Sequence, residues 1–296
     1  MNLFHKIRGS LALVATFLNT LICILPLYLM VLLKMLFKGQ RAQVALSHGL
    51  VRLAEFWISV NNLIIATFSS VRWQVALPDG LSKDKWYFVI SNHQSWADIL
   101  VLQRLFNRRI PLLKFFLKQE LRKVPMLGDA WWALDFPFMK RYTRAEIEKD
   151  PSLKGKDLET TRQACEKFAL LPTSVMNFVE GTRFTPAKHD AQQSPYRHLL
   201  KPKAGGAAFT LGAMSGHLRE LLDVTILYPP QAPRTLLAFL GGAIRDVQVI
   251  VRLHTIPEWA SQGDYENDAA FRERFQQWLG ELWTEKDALL ASRLPA

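Results

Sequence analysis

Residues 86–98 read WYFVISNHQSWAD, a short apolar run followed directly by a polar segment. The run 86–91 predicts a buried β-strand, and residues 95–106 behind it predict a helix. A buried strand that leads into a helix is the repeating unit of α/β domains, in which helices cover a central sheet. Further strands are predicted at Trp73–Leu77, Ser174–Val179, Val224–Tyr228 and Gln248–Leu253, and further helices at 157–170, 203–216 and 268–290.

The alternation of strands and helices begins only after Val71. We therefore divide the chain into an N-terminal helical segment, 1–70, and a single α/β domain, 71–296. With 49% hydrophobic and 21% charged residues, the composition is that of a globular chain rather than a disordered one. Two cysteines, Cys23 and Cys165, are too few for a disulfide framework, so a reducing cytosol suits the domain.

The N-terminal segment contains an apolar run at 11–37 with positive charges at both ends. A helix of about 27 residues is long enough to cross a bilayer core, and Pro26 could kink or break it. Because both flanks are basic, the charges give no orientation. A single span, a kinked hairpin and a helix lying on the membrane all fit. We expect a membrane protein, located in the bacterial inner membrane with its site facing the cytoplasm.

A second apolar stretch, 50–70, carries a polar stripe at helical spacing. Its members are Arg52, Glu55, Ser59 and Asn62. A helix with such a stripe fits the membrane interface, and a helix that packs on a protein core fits nearly as well.

The polar segment after the first buried strand places His93 five residues before Asp98. Side chains five apart do not meet on a helix, so His93 must lie in the loop and Asp98 near the first helical turn. A carboxylate on one ring nitrogen would orient the imidazole, and the other nitrogen could take a proton from a hydroxyl. The spacing alone is common, but its place at a strand end is where α/β sheets hold ligands.

A second polar motif, Glu180-Gly181-Thr182-Arg183, follows the strand predicted at Ser174–Val179. Gly181 permits a tight turn, Thr182 can donate a hydrogen bond, and Arg183 can bind phosphate oxygens with two N–H groups. Glu180 would repel a phosphate, so we assign it to orienting Arg183, His93 or the loop.

Between the two motifs, residues 104–144 hold most of an overall net charge of +11. Such a basic stretch attracts anionic lipids, phosphorylated substrates or nucleic acid, or forms a solvated face. No nucleic-acid-binding module is recognisable, so we expect no nucleic-acid partner.

These motifs occur in the order found in a known family. The sequence resembles the glycerophospholipid acyltransferases of the 1-acylglycerol-3-phosphate acyltransferase (PlsC) type, in a branch similar to lysocardiolipin acyltransferase-like proteins. The matching blocks are Asn92-His93 with Asp98, residues 118–128 with 138–141, residues 178–189, Asp223–Ile226 and the C-terminal stretch near 278–289. The fourth block departs from the family because Pro229-Pro230 follow the strand.

The resemblance implies a glycerophosphate-acyltransferase-like domain behind membrane-attached helices. It implies transfer of a fatty acyl group from an acyl thioester, acyl-CoA or acyl-carrier protein, to a lysophospholipid. We expect 1-acyl-glycerol-3-phosphate as the acceptor, with lysophosphatidylglycerol or lysocardiolipin as alternatives. His93 and Asp98 would be catalytic, and no cofactor or metal is expected. The residues implied in substrate binding are Glu180, Gly181, Thr182, Arg183, Lys118 and Arg141.

Three rival classes are weaker. A lipid esterase needs an activated serine, and the chain has no Gly-x-Ser-x-Gly elbow; Ser95 is better placed to cap a helix. A non-catalytic membrane-binding protein would leave the ordered motifs unexplained. A metalloenzyme has no support, because neither His-Glu-x-x-His nor paired cysteines occur.

Overall fold

The structure, a computed structural model, describes residues 1–139, 149–150, 168, 171–214 and 216–294. Arg141, Cys165 and nearly all of the helix predicted at 157–170 therefore lie outside the described residues. The strands are β1 (Arg72–Ala76), β2 (Tyr87–Ser91), β3 (Leu113–Phe115), β4 (Leu117–Lys118), β5 (Phe138–Met139), β6 (Ser174–Asn177), β7 (Glu220–Leu227) and β8 (Asp246–Thr255). The helices are α1 (Leu3–Leu36), α2 (Gln40–Ser69), α3 (Ala97–Phe106), α4 (Leu127–Ala133), α5 (Pro186–Gln192), α6 (Ala204–Ala213), α7 (Leu236–Leu240) and α8 (Ala269–Arg293).

A six-stranded sheet forms the centre of the fold, in the order β1-β8-β7-β2-β6-β3. Strands β3, β6, β2 and β7 are parallel, whereas β8 runs antiparallel to β7 and β1 is parallel to β8. Strands β4 and β5 form a separate two-stranded sheet. The expected central sheet flanked by helices is confirmed, and it is mixed.

Helices cover both faces of this sheet. On one face, side chains of α3 and α7 form an apolar cluster with β2, β7 and β8, and α1 and α2 each add one buried residue to it. On the other face, α6 and α8 pack on the same strands. Since β2 is covered from both sides, all five of its residues are buried. This explains why its sequence is continuously apolar rather than alternating.

The first two helices form an antiparallel hairpin with a three-residue connection, 37–39. Near the open end, Arg8 donates to the Ser70 hydroxyl at 3.2 Å. In the middle, Asn19 Nδ2 donates to Asn61 Oδ1 at 2.8 Å. Both helices are long and apolar enough to cross a membrane, judged by length and composition. The division at residue 70 stays a prediction, although α2 ends at Ser69.

Helix α1 continues through Pro26 as one helix, so the proline does not break it. Proline removes one backbone hydrogen bond, which a helix tolerates when packing holds both sides of the gap. Cys23, Ile24 and Leu27 around Pro26 are buried, and they supply that packing.

Two members of the polar stripe of α2, Glu55 and Ser59, contact the α/β domain, whereas Arg52 is exposed. Glu55 is buried and forms an ion pair with Lys83 at 2.5 Å. Ser59 accepts from Asn107 of the α3 C-cap at 2.9 Å. Large apolar side chains such as Phe56 and Leu63 are exposed instead. Helix α2 therefore packs polar side chains on the domain and exposes apolar ones. For this reason its sequence fitted both the interfacial and the core-facing interpretation.

Candidate active site

Three neighbouring parallel strands end at the same edge of the sheet, in the order β7-β2-β6. Tyr228 directly follows β7, His93 follows β2 by two residues, and Glu180 follows β6 by three. Because parallel strands all present their carboxyl ends at one edge, residues far apart in sequence meet there. The two motifs predicted from the sequence are among them.

Between β2 and α3, His93 lies in the loop and Asp98 in the first turn of the helix, as the five-residue spacing requires. His93 Nδ1 is 2.8 Å from Asp98 Oδ2. A carboxylate only accepts, so Nδ1 carries the hydrogen and the neutral ring leaves Nε2 free to take a proton. No hydrogen bond to Nε2 is made within the part of the chain that the structure describes.

The Asp98 carboxylate is buried and holds its own loop in place. Its Oδ2 also accepts from the backbone N–H groups of Gln94 and Ser95, at 2.6 and 2.8 Å. Its other oxygen, Oδ1, accepts from the Tyr228 hydroxyl at 2.6 Å. The carboxylate is thus fixed on both oxygens, and its position fixes the imidazole.

Asn92 and Ser95 tie this loop to the sheet. The Asn92 side chain exchanges two hydrogen bonds with the backbone of Ile226 on β7, at 2.9 and 2.8 Å. The Ser95 hydroxyl accepts from Ala97 N and donates to the Arg234 carbonyl, each at 3.1 Å. Ser95 thus binds the first N–H group of α3, but the N-cap position itself is occupied by Trp96, whose side chain makes no capping hydrogen bond.

Glu180 links the second motif to the first. Its carboxylate is fully buried and accepts from His93 N at 2.8 Å and from Leu200 N at 3.0 Å. Burial raises the pKa of Glu180 to about 7, and the two backbone N–H groups oppose that rise. Of the three roles considered for Glu180, the structure supports the orientation of His93, because the Glu180 carboxylate binds the backbone N–H of His93. A second link runs from Phe184 N to the His93 carbonyl at 2.7 Å.

An aromatic ring holds the imidazole from one face. Phe178 stacks on His93 with ring centroids 3.9 Å apart and an interplanar angle of 17°. Gly181 lies beyond it with φ of +68°, in the left-handed region, where any other residue would be strained. That turn reverses the chain and brings residues 182–183 back beside the histidine loop.

Arg183 lies over the exposed indole of Trp96, with its guanidinium carbon 4.9 Å from the ring centroid. Within the described part of the chain, no carboxylate forms an ion pair with Arg183. Lys188 Nζ donates to the Thr182 hydroxyl at 2.6 Å and to the Arg183 carbonyl at 3.1 Å. Among the described residues, no acid forms an ion pair with Arg183 of the turn or with Lys188 of α5, and two such cations suit an anionic group.

Of the two remaining predicted residues, the structure describes only Lys118, which is not joined to this cluster. Lys118 is exposed on the small β4–β5 sheet, and no described hydrogen bond or ion pair connects it to His93 or Arg183. Arg141 lies outside the described residues. Among the described side chains, no group of three or more His, Cys, Asp or Glu is placed to hold a metal ion.

Sequence reasoning missed Tyr228, Trp96 and Lys188. Tyr228 ended a predicted strand, and Lys188 belonged to the matched stretch 178–189, so position alone could have marked both. Trp96 stood inside the first motif, but nothing in the sequence showed that Arg183 would cover its ring.

Comparison with known proteins shows the family of the chain. The family model described as Acyltransferase matches residues 72–228. Among curated proteins, 1-acyl-sn-glycerol-3-phosphate acyltransferase gamma of Mus musculus is 27% identical over 81% of this chain and 60% of its own length. The delta protein of Homo sapiens is 30% identical over 68% of this chain and 51% of its own length. The chain thus spans between half and three fifths of these relatives.

Among solved structures, the 1-acyl-sn-glycerophosphate (LPA) acyltransferase PlsC from Thermotoga maritima is similar, with a TM-score of 0.55 and 17% identity. The match covers 99% of this chain and 100% of that one, including the N-terminal helices. At this identity the likeness shows the fold alone, and it confirms the expected glycerophosphate-acyltransferase-like architecture.

Proposed function

Since this chain belongs to the acyltransferase family, we propose that it transfers a fatty acyl group from an acyl thioester to the free hydroxyl of a lysophospholipid. The observation that carries the proposal is the pairing of His93 with Asp98 beside Arg183, which no carboxylate of the described residues neutralises. The preferred acceptor is 1-acyl-glycerol-3-phosphate, the substrate that the names of the relatives contain.

The proposed reaction uses His93 as a general base. Its Nε2 takes the proton of the acceptor hydroxyl while that oxygen attacks the thioester carbonyl, and Asp98 stabilises the imidazolium that forms. A new ester C–O bond forms and the C–S bond breaks. The proton then passes from Nε2 to the departing thiolate, so the histidine returns to its neutral form. No nucleophile of the protein and no cofactor takes part.

Substrate binding is assigned to the turn after β6. Arg183 and the Thr182 hydroxyl would hold the acceptor phosphate, with Gly181 allowing close approach and Glu180 fixing the turn. Lys118 and Arg141 are proposed as further cations for the anionic substrates. Either acyl-CoA or acyl-carrier protein fits as donor, because both carry the acyl group as a thioester at the end of a phosphopantetheine arm.

Membrane attachment is assigned to residues 1–70, and catalysis to the domain 71–296. The exposed apolar side chains of α1 and α2 would face lipid, where a lysophospholipid acceptor resides. We propose the bacterial inner membrane, with the site on its cytoplasmic side where soluble thioesters are made.

Purified protein with oleoyl-CoA and 1-acyl-glycerol-3-phosphate tests the proposal, with phosphatidic acid as the measured product. We expect His93→Ala to lower the rate by at least about 100-fold, as loss of a general base does. His217→Ala is the matched control, because His217 is exposed just before β7, away from the loop. Unchanged transfer in the His93 variant would refute the assignment.

A panel of acceptors and donors separates the alternatives. Faster transfer to lysophosphatidylglycerol or lysocardiolipin would reassign the acceptor and leave the chemistry unchanged. Release of free fatty acid without an acceptor would indicate an esterase. Vesicle binding with neither activity would indicate a membrane-binding protein. Replacing acyl-CoA by acyl-carrier protein identifies the donor.

A further inference from the structure

We propose that Tyr228 is a positioning residue for the reaction, acting through Asp98 to set the orientation and charge of the catalytic pair. This inference rests on the proposed function, because it concerns the base of that reaction. Tyr228 lies 130 positions from Asp98 in the sequence and reaches it only through the fold.

The two oxygens of the Asp98 carboxylate accept different numbers of hydrogen bonds. Oδ2 accepts from His93 Nδ1 and from two backbone N–H groups, whereas Oδ1 accepts from the Tyr228 hydroxyl alone among the described contacts. Without that bond, nothing described holds Oδ1, and the carboxylate could rotate about its Cβ–Cγ bond. Because Oδ2 stays bonded to His93 Nδ1, such a rotation would turn the imidazole with it and misalign Nε2.

Tyr228 itself is held in place by its surroundings. It is 2% exposed and directly follows β7, whose backbone is bonded to the Asn92 side chain. The Arg234 guanidinium lies over the Tyr228 ring, 5.0 Å from its centroid. The backbone carbonyl of Arg234 also accepts a hydrogen bond from the Ser95 hydroxyl. The segment 228–234 therefore contacts the histidine loop at two points.

The Tyr228 hydroxyl also affects the charge of the Asp98 carboxylate. Burial, followed by the nearby Asp98 carboxylate, raises the pKa of Tyr228 well above its usual value, so the hydroxyl stays protonated and donates. The other charged or titratable groups facing the carboxylate are His93 on its own loop, Glu180 from the turn after β6, and Arg234. A hydrogen bond from Tyr228 disperses the carboxylate charge that would otherwise stabilise the imidazolium fully.

Tyr228→Phe removes one oxygen atom and keeps the ring under Arg234. We expect kcat to fall about 10-fold, the effect of losing one charge-assisted hydrogen bond, with little change in KM for the acceptor. Because the undispersed carboxylate favours the imidazolium, the acidic limb of kcat/KM against pH moves to higher pH. Tyr87→Phe is the matched control, since Tyr87 is buried and accepts one hydrogen bond from Ser82 N.

A double-mutant cycle with Asp98→Asn tests the route of the effect. If Tyr228 acts through the carboxylate, Tyr228→Phe changes kcat far less in the Asp98→Asn background than in the native one. Equal effects in both backgrounds, or a native pH profile in Tyr228→Phe, would overturn the proposal.

A measurement without substrate keeps the two proposals separable. NMR titration of the His93 ring, in protein labelled with ¹³C-histidine and assigned with His93→Gln, reports its protonation directly. A midpoint that moves upward in Tyr228→Phe supports the positioning role even if acyl transfer is absent from the native protein. An unmoved midpoint refutes that role, whatever reaction the enzyme performs.

Discussion

Replacing Asp98 by asparagine removes the charge of the proposed catalytic pair while keeping its shape. The amide oxygen can take the place of Oδ2, where it accepts from His93 Nδ1 and from the two backbone N–H groups. The amide nitrogen then takes the place of Oδ1, and the Tyr228 hydroxyl can rotate to accept from it. Because each bond has a replacement, we expect the free energy of unfolding to change by no more than about 1 kcal/mol.

The rate should fall much further than the stability. Charge centres about 4 Å apart attract each other by about 4 kcal/mol at an effective dielectric constant of about 20. That attraction exists only once the imidazolium forms, so it lowers the barrier rather than strengthening substrate binding. The donors on the carboxylate already share its charge, which reduces the loss. We therefore expect kcat to fall about 10²- to 10³-fold.

The assay is phosphatidic acid formation by purified Asp98→Asn, with urea unfolding of the same sample. Asp79→Asn is the control, because Asp79 is an exposed turn residue. A rate within about 10-fold of the native protein would refute the electrostatic role. Loss of folding would show that the charge, rather than the hydrogen-bond pattern, holds the loop.

Three further predictions concern Arg183, Glu180 and Lys286. Arg183→Met should raise KM for 1-acyl-glycerol-3-phosphate about 10- to 100-fold and leave KM for the thioester unchanged in steady-state kinetics, as loss of a phosphate contact would; equal changes in both would contradict it. Because the folded pKa of Glu180 is raised from 4.5 to about 7, the folded state keeps a proton that the unfolded chain releases. The stability from this group is therefore present below about pH 4.5 and falls by about 3 kcal/mol as pH rises to about 7. Urea unfolding of Glu180→Gln at pH 5 and pH 8 should lack that fall, and an equal fall in the variant would refute the cause. Lys286 and Asp223 form a fully buried ion pair, so Lys286→Met should cost about 3–5 kcal/mol. The double variant with Asp223→Asn should recover part of that loss, and additive losses in thermal unfolding would contradict the pairing.

Sequence reasoning predicted the elements with a clear apolar pattern, which is continuous in strand β2 and confined to one side of helix α8. Strand β2 and helix α8 were placed within a few residues of their observed bounds. Strand β3 was missed because it has three residues and only one of them is fully buried. The antiparallel direction of β8 was also not predictable, because apolar alternation does not encode the direction of pairing.

The candidate site was also predicted only in part. His93, Asp98 and Arg183 were found because their motifs follow predicted strands, and the structure brings the two motifs together. The sequence left three roles open for Glu180, and only the fold shows both of its backbone partners. Lys118 was carried over from the resemblance, and nothing in the described structure joins it to the pair.

The sequence by itself determined the local chemistry: a histidine and a carboxylate in one loop, and a glycine turn before an arginine. These are short-range features, since a strand end, a spacing of five and a glycine fix them without any distant contact. Only the tertiary structure decided what surrounds them. The adjacency of β7, β2 and β6 places Tyr228 on Asp98 and Glu180 under His93. Strand order is set by burial of the whole sheet between two helical layers, which no local pattern records.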